Sequence, residues 1–213
     1  MPCCNTPPAG ANRFFSWFAR RSRRHYQKKG LGKAQRQLVE GISAQQVDGA
    51  SVLEIGCGVG YLHQTLLIDG AASAMGVDLS EGMLNEAREL AKQRQVDSRT
   101  EYRQGDFIEI ADELPNADVT VLDKVVCCYQ DAKTLVHRSL EKTERVYALT
   151  YPRAHFVNRI LTAVEATALW LIRCDFRPYV HDPADVERWI VERGFHKKHE
   201  RLTWIWLTQV YAR

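Results

Sequence analysis

A short apolar run that ends in three closely spaced glycines constrains the fold of this chain most. The segment from Val52 to Gly60 reads VLEIGCGVG, with Gly56, Gly58 and Gly60 at alternate positions. Glycine lets a backbone turn sharply and lets a ligand approach without a Cβ in the way, and a helix that follows presents free N–H groups. The segment therefore predicts a buried strand, a glycine loop and a helix that bind a small molecule together.

Downstream of this loop, short β-branched runs alternate with helical segments, which is typical of a parallel sheet covered on both faces. The predicted strands are 51–55, 74–77, 100–104, 119–122, 145–150, 195–202 and 204–211, and the predicted helices lie near 60–69, 81–94, 131–141, 154–173 and 182–194. Ser80 is the expected N-cap of the second helix. We therefore expect an α/β fold: a Rossmann-like, seven-stranded, mostly parallel sheet with helices on both faces, plus an N-terminal helical arm and an inserted helix after strand five.

The charge of the chain is distributed unevenly. Residues 1–36 hold nine Lys or Arg and no Asp or Glu, whereas the rest of the chain holds 20 basic and 26 acidic residues. Residues 1–10 predict a flexible leader, and residues 12–29 predict an amphipathic helix with aromatic residues on one side and arginines on the other. We therefore expect a basic amphipathic arm at 1–36 and one globular domain at 37–213.

Composition excludes several classes of protein. Six cysteines in 213 residues are too few for a small secreted disulfide scaffold, and the adjacent pairs Cys3–Cys4 and Cys127–Cys128 lack the spacing of a zinc site, so no metal is expected. Polar and charged residues interrupt the apolar stretch 154–172, and the N-terminus has no signal-peptide core. These features predict a cytoplasmic protein whose segment 12–29 could contact an anionic membrane surface peripherally. They do not determine the oligomeric state.

Two acidic residues end or follow later strands of the predicted sheet. Asp78 ends the second strand in GVDLS, where a carboxylate can accept hydrogen bonds from both hydroxyls of a ribose. Asp106 follows the third strand in GDF, where it could accept from an adenine amine while Phe107 contacts the ring. A dinucleotide fingerprint would place glycine at residue 61, where Tyr61 stands, so the pattern disfavours a nicotinamide cofactor without excluding it.

The motifs VLEIGCGVG, GVDLS and GDF resemble the first three cofactor motifs of the class I S-adenosylmethionine-dependent methyltransferases, over residues 50–150. The resemblance implies that S-adenosylmethionine is the cofactor. It also implies that Glu54 orients the glycine loop, that the three glycines line the methionine moiety, that Asp78 holds the ribose and that Asp106 and Phe107 hold the adenine. The full set of predicted cofactor-binding residues is Glu54, Gly56, Gly58, Gly60, Asp78, Leu79, Asp106, Phe107 and Asp123.

The end of the fourth strand, ADVTVLDKVVCCYQD, and the arm segment RRHYQKKGLGK are similar to small-molecule methyltransferases related to the magnesium-protoporphyrin O-methyltransferases. Those enzymes typically have a histidine at the position of Cys128, so the resemblance does not imply a porphyrin substrate for this chain. It implies acceptor chemistry at this strand end and a Tyr26 that folds over the cofactor, although Tyr26 could equally anchor the arm. The predicted catalytic residues are Tyr26, Asp123, Cys128, Tyr129 and His155, with His181 as a second candidate base.

The expected function is therefore methyl transfer from S-adenosylmethionine to a small lipophilic acceptor, with O-, S- and C-methylation all open. An RNA methyltransferase is one alternative, because the arm is basic. Nucleic acid is nevertheless disfavoured, since Lys124 and Val125 follow Asp123 in place of the motifs that methylate bases. A second alternative is a non-catalytic cofactor-binding protein that docks on a partner through its basic arm.

Overall fold

The computed structural model describes residues 9–154 and 179–213, with side chains from residue 18 onward in the first helix. The strands are β1 (Ser51–Ile55), β2 (Ser73–Asp78), β3 (Thr100–Gln104), β4 (Ala117–Asp123), β5 (Thr143–Pro152), β6 (His196–Leu202) and β7 (Trp206–Ala212). The helices are α1 (Ala9–Lys29), α2 (Lys33–Ser43), α3 (Tyr61–Ile68), α4 (Glu81–Gln93), α5 (Phe107–Ile110), α6 (Ala132–Glu141) and α7 (Pro183–Val191).

The seven strands form one sheet in the order β3-β2-β1-β4-β5-β7-β6. Strands β1 to β5 run parallel to one another, and β7 runs antiparallel to both β5 and β6. The order reverses at β1, because β2 and β4 lie on either side of it, and ligands of such sheets bind at the carboxyl edge beside this point. The predicted Rossmann-like, mostly parallel sheet is confirmed.

Apolar residues cover both faces of the sheet. Leu53 and Leu149 belong to a buried cluster that also holds residues of α6 and α7. Val52 and Val121 belong to the cluster on the opposite face, together with residues of α2 and α3. Because successive side chains of a strand point to opposite faces, the central strands are apolar at almost every position.

The predicted elements from β1 onward agree with the structure to within a few residues, and Ser80 caps α4 by accepting from the Met83 N–H at 3.3 Å. The prediction for β7 began two residues too early, because Thr203 and Trp206 exchange hydrogen bonds that close the β6–β7 turn. The predicted leader was wrong at residues 9 and 10, which already belong to α1. Residues 1–8 and most of the predicted helix 154–173 lie outside the described residues.

Helix α2 was not predicted. It packs against β5, β6 and β7 through the fully buried Leu38 and Ile42, and a Cβ at Gly41 would lie 2.8 Å from Val210 Cγ2. The boundary that we expected at residue 36 falls inside this helix. The expected arm therefore ends inside a helix that belongs to the sheet core, and residues 30–32, with Gly30 at a φ of +67°, separate that helix from α1.

Helix α1 lies along α4. The Arg23 guanidinium forms an ion pair with Glu86, with 2.6 Å between Nε and Oε2, and the Gln27 amide donates to Gln93 Oε1 at 2.6 Å. These contacts hold the end of the arm next to the glycine loop. No helix in 9–154 or 179–213 is both long enough and apolar enough to cross a membrane.

Candidate active site

The carboxyl ends of β1, β2, β3 and β4 bring four sequence motifs to one edge of the sheet. Strand β1 ends in the glycine loop, β2 ends at Asp78, and β4 ends at Asp123, while Asp106 follows β3. Parallel strands place all of these residues on the same side of the molecule. The edge therefore combines a glycine loop with three carboxyl groups.

The glycine loop turns through left-handed backbone conformations, with φ values of +66° at Gly56, +53° at Gly58 and +73° at Gly60. A Cβ at Gly56 would overlap the Val125 side chain, whereas a Cβ at Gly58 would meet no atom within 4 Å. Gly56 is thus required by packing within the protein. The space beside Gly58 is open and can admit a ligand against the backbone.

Asp78 ties β2 to the glycine loop. Its Oδ2 accepts from the Gly58 N–H at 2.8 Å, and its Oδ1 accepts from the Ser80 N–H at 2.8 Å. Burial raises the pKa of Asp78, and the two backbone amides oppose that shift. The neighbouring Leu79 is half-buried, and its carbonyl accepts from the Gln104 amide at 3.3 Å. The predicted ribose residue therefore also sets the position of the loop.

Glu54 is buried near the carboxyl end of β1 and faces the start of α3. Its Oε2 lies 2.5 Å from His63 Nδ1 and accepts from the His63 N–H at 3.1 Å, while His63 Nε2 lies 3.2 Å from the Tyr102 hydroxyl. Burial raises the pKa of Glu54, and His63 counteracts that shift. A Cβ at Gly60 would lie 2.7 Å from His63 Cε1. Glu54 therefore acts on the glycine loop through His63.

Asp106 and Tyr129 are hydrogen-bonded to each other. Asp106 caps α5 by accepting from the Ile108 N–H at 3.0 Å, and the same Oδ1 accepts from the Tyr129 hydroxyl at 2.8 Å. Phe107 is only 1% exposed and belongs to the apolar core. Its ring leaves almost no surface for a ligand, and this burial disfavours the expected contact between Phe107 and adenine.

Asp123 is buried at the end of β4. Its Oδ2 accepts from the Gln35 amide at 2.7 Å and lies 3.9 Å from the Lys124 ammonium. The Thr150 hydroxyl favours the charged form, but Oδ1 makes no well-formed hydrogen bond to any residue in the described ranges. Burial raises the pKa of Asp123, and Lys124 and Gln35 oppose the shift. Lys124 itself has a φ of +61°, which non-glycine residues rarely adopt.

Two of these observations fit S-adenosylmethionine. The open space beside Gly58 can take the methionine moiety close to the backbone, and the buried Oδ1 of Asp123 can accept from its ammonium group. Within the described part of the chain, no cluster of His, Cys, Asp and Glu is arranged to hold a metal ion.

The predicted catalytic residues do not form one cluster: some lie around Gln35, and Tyr129 lies beside Asp106. Tyr26 hydrogen-bonds to Gln35, which also holds Asp123, so those two predicted residues meet at one site. The Tyr129 hydroxyl is engaged on the Asp106 side, and the exposed Cys128 has its sulfur 3.6 Å from the Lys124 carbonyl. His155 lies outside the described residues.

The second candidate base, His181, is half-buried. Its Nε2 lies 2.9 Å from the Tyr129 carbonyl, and burial lowers its pKa. A ring nitrogen this close to a carbonyl oxygen must carry a hydrogen and donate it. His181 therefore fastens the segment before α7 to the chain after β4, and that nitrogen is not free to accept a proton.

Three residues of the site were not anticipated from the sequence: Gln35, Tyr61 and His63. The Tyr61 ring stacks on Tyr26 with centroids 5.0 Å apart, and the Arg94 guanidinium lies 4.3 Å from the centre of the same ring. Tyr61 was considered only as the residue that breaks a dinucleotide fingerprint. Gln35 has no signal in the sequence because it lies in a helix that was not predicted, and His63 has none because its contacts with Glu54 and Tyr102 form only when α3 packs beside the sheet.

A family model described as a methyltransferase domain matches residues 52–149. The ribosomal protein L11 methyltransferase of Neisseria gonorrhoeae is 41% identical over 58 residues, which are 27% of this chain and 20% of that protein. The ubiquinone biosynthesis O-methyltransferase of Acinetobacter baylyi is 43% identical over 65 residues, which are 30% of this chain and 26% of that protein. The chain thus matches about a quarter or less of the length of these relatives.

The fold resembles that of solved methyltransferases over nearly the whole chain. A crystal structure of magnesium protoporphyrin IX methyltransferase from Synechocystis PCC 6803 with bound adenosylhomocysteine has a TM-score of 0.70 at 19% identity, covering 95% of this chain and 99% of that one. The motif residues of the present chain lie at the carboxyl edge, and the family model spans those motifs. Residues 52–149 therefore match a methyltransferase domain, and the chain has the Rossmann-like fold of solved methyltransferases.

Proposed function

We propose that this chain transfers the methyl group of S-adenosylmethionine to a small lipophilic acceptor bound between the carboxyl edge of the sheet and α1. The observation that carries the proposal is the bridge from the arm to the site, in which Tyr26 and Asp123 share the amide nitrogen of Gln35. The Tyr26 ring also stacks on Tyr61, directly after the glycine loop. An arm in this position encloses the site, and an enclosed site suits a small acceptor better than a folded RNA or protein.

The reaction makes limited demands on the protein. When bound, S-adenosylmethionine supplies an activated methyl group, and transfer is an in-line displacement that needs alignment and exclusion of water. Asp78 and the glycine loop hold the nucleoside and methionine parts, while the arm shields the site from solvent. The buried carboxyl groups of Glu54, Asp78 and Asp123 favour a cationic ligand, because a nearby positive charge stabilises their ionised forms.

An aromatic ring close to Lys124, the residue after β4, supports a lipophilic acceptor. The half-buried Trp206 ring lies at the start of β7, next to the end of β5, with the Lys124 ammonium 5.2 Å from its centre. By their names, the ubiquinone and protoporphyrin methyltransferases act on small molecules. The L11 methyltransferase is named for a protein acceptor, and the partial matches to it and to the ubiquinone enzyme support the methyltransferase domain and not the choice of acceptor.

Methyl uptake from tritiated S-adenosylmethionine tests the proposal. The purified chain is incubated with a cell extract separated into organic-soluble metabolites, RNA and protein, and label and adenosylhomocysteine are measured in each fraction. We expect label in the organic-soluble metabolites, with an equal amount of adenosylhomocysteine. RNase-sensitive label would favour the RNA alternative, label in protein would favour a protein acceptor, and cofactor binding without adenosylhomocysteine formation in any fraction would favour the non-catalytic binder.

A further inference from the structure

Gln35 is a buried amide at the start of α2 whose polar atoms all have partners. Its Nε2 donates to Asp123 Oδ2 at 2.7 Å and to the Tyr26 hydroxyl at 2.9 Å, and its Oε1 accepts from the Gly32 N–H at 3.2 Å. One side chain thus joins the end of α1, the start of α2 and the end of β4. The side chain is 88 residues from Asp123 along the sequence.

The partners fix the orientation of this amide. A backbone N–H can only donate, so the atom that faces Gly32 must be the oxygen of Gln35. An ionised carboxylate can only accept, so the atom that faces Asp123 must be the nitrogen. The two hydrogens of that nitrogen therefore go to Asp123 and to Tyr26.

This orientation leaves each neighbour with one unused function. Asp123 has Oδ2 occupied by Gln35 and its buried Oδ1 still able to accept. Tyr26 accepts from Gln35 through its phenolic oxygen, so the Tyr26 hydrogen remains able to donate, and the described residues show no acceptor for it. Gln35 therefore leaves one acceptor and one donor at the same site.

Both neighbours lie beside the glycine loop. Val125, two residues after Asp123, packs directly against Gly56. Tyr26 stacks on Tyr61, the residue that follows Gly60. A ligand group near this loop can reach the Asp123 acceptor and the Tyr26 donor together.

We propose that Gln35 is a positioning residue that sets Asp123 to accept from the ammonium group, and Tyr26 to donate to the carboxylate, of the amino-acid part of S-adenosylmethionine. An α-amino acid carries an ammonium donor and a carboxylate acceptor on the same α-carbon, which complements the acceptor and donor that Gln35 leaves unused. This inference rests on the proposed function. Gln35 itself touches neither the cofactor nor the acceptor.

Two nucleosides separate this role from general stability. Adenosylhomocysteine has the amino-acid part, and 5′-methylthioadenosine has the same nucleoside without it. By calorimetry, Gln35→Met should weaken adenosylhomocysteine binding about tenfold, the equivalent of one charge-assisted hydrogen bond, and leave methylthioadenosine binding unchanged. Gln37→Met on the same helix is the matched control and should change neither affinity.

A double-mutant cycle shows whether Gln35 acts through Asp123. If it does, Gln35→Met should lower adenosylhomocysteine affinity little in a protein that already carries Asp123→Asn, because the effects of substitutions in one hydrogen-bond network are not additive. Tyr26→Phe removes one hydroxyl from α1 and should also weaken only adenosylhomocysteine, which keeps the test valid if Gln35→Met does not fold.

Equal losses for both nucleosides in Gln35→Met, or wild-type affinity for adenosylhomocysteine in a folded Gln35→Met protein, would overturn the inference while the proposed function stands. If Gln35→Met does not fold, wild-type affinity in Tyr26→Phe would overturn it. Wild-type protein that binds neither nucleoside would refute the proposed function and the inference with it.

Discussion

Gly58 offers the sharpest test of the cofactor site, because the structure separates its effect on folding from its effect on binding. Its φ is +53°, and a Cβ there would meet no protein atom within 4 Å. Gly58→Ala should therefore fold, at a cost of about 1–2 kcal/mol for an L-residue in the left-handed region. For a chain of this size that cost corresponds to a Tm lower by roughly 2–8 °C.

The added methyl group should act mainly on the ligand. It occupies the open space that we assign to the methionine moiety, and overpacking of this kind costs about 1–3 kcal/mol, or roughly 5- to 150-fold in affinity. Calorimetry with adenosylhomocysteine measures the affinity, and a thermal melt measures the Tm. Gly56→Ala should lose far more stability than Gly58→Ala, because its Cβ overlaps Val125.

Gly49 provides the matched control. It lies between α2 and β1 with a φ of +71°, and a Cβ there would also meet nothing within 4 Å. Gly49→Ala should lower the Tm by a similar amount and leave adenosylhomocysteine binding unchanged. A folded Gly58→Ala protein with wild-type affinity would refute the assignment of the glycine loop, and an equal loss of affinity in Gly49→Ala would show that the effect is one of stability alone.

Further outcomes follow from the carboxyl groups and the arm. Asp78→Ala removes the acceptor of the Gly58 and Ser80 amides as well as the ribose contact. Adenosylhomocysteine affinity, measured by calorimetry, should therefore fall by at least tenfold, the equivalent of one charge-assisted hydrogen bond. Unchanged affinity would contradict the assignment of Asp78 to the ribose. Acidification through the raised pKa of Asp123 should weaken adenosylhomocysteine binding, because a protonated carboxyl accepts poorly from an ammonium, and a pH titration of Asp123→Asn should show a smaller dependence. Deletion of residues 1–30 should reduce turnover more than cofactor affinity if the arm is a lid. If the arm is instead a membrane anchor, the deletion should abolish salt-sensitive sedimentation with anionic vesicles and leave turnover of a soluble acceptor intact.

The sequence by itself determined the strands, the helices that alternate with them and the positions of the glycine loop and Asp78. These features are local, because an apolar period identifies a strand and a parallel sheet places every strand end at the same edge. The order of elements was therefore enough to predict that Gly58 and Asp78 lie close together, and the structure joins them at 2.8 Å.

Only the tertiary structure decided how the carboxyl groups are used and where the arm lies. Glu54 acts through His63, and Phe107 is buried in the apolar core. Asp123 accepts from Gln35, which lies in a helix that the sequence did not predict. The amphipathic pattern of the arm was compatible with a lid over the site, a membrane anchor or a solvated tail. Contacts such as the ion pair of Arg23 with Glu86 hold the arm against α4. Hydrogen bonds between residues far apart along the chain leave no period in the sequence, because their geometry exists only after the sheet has brought the partners together.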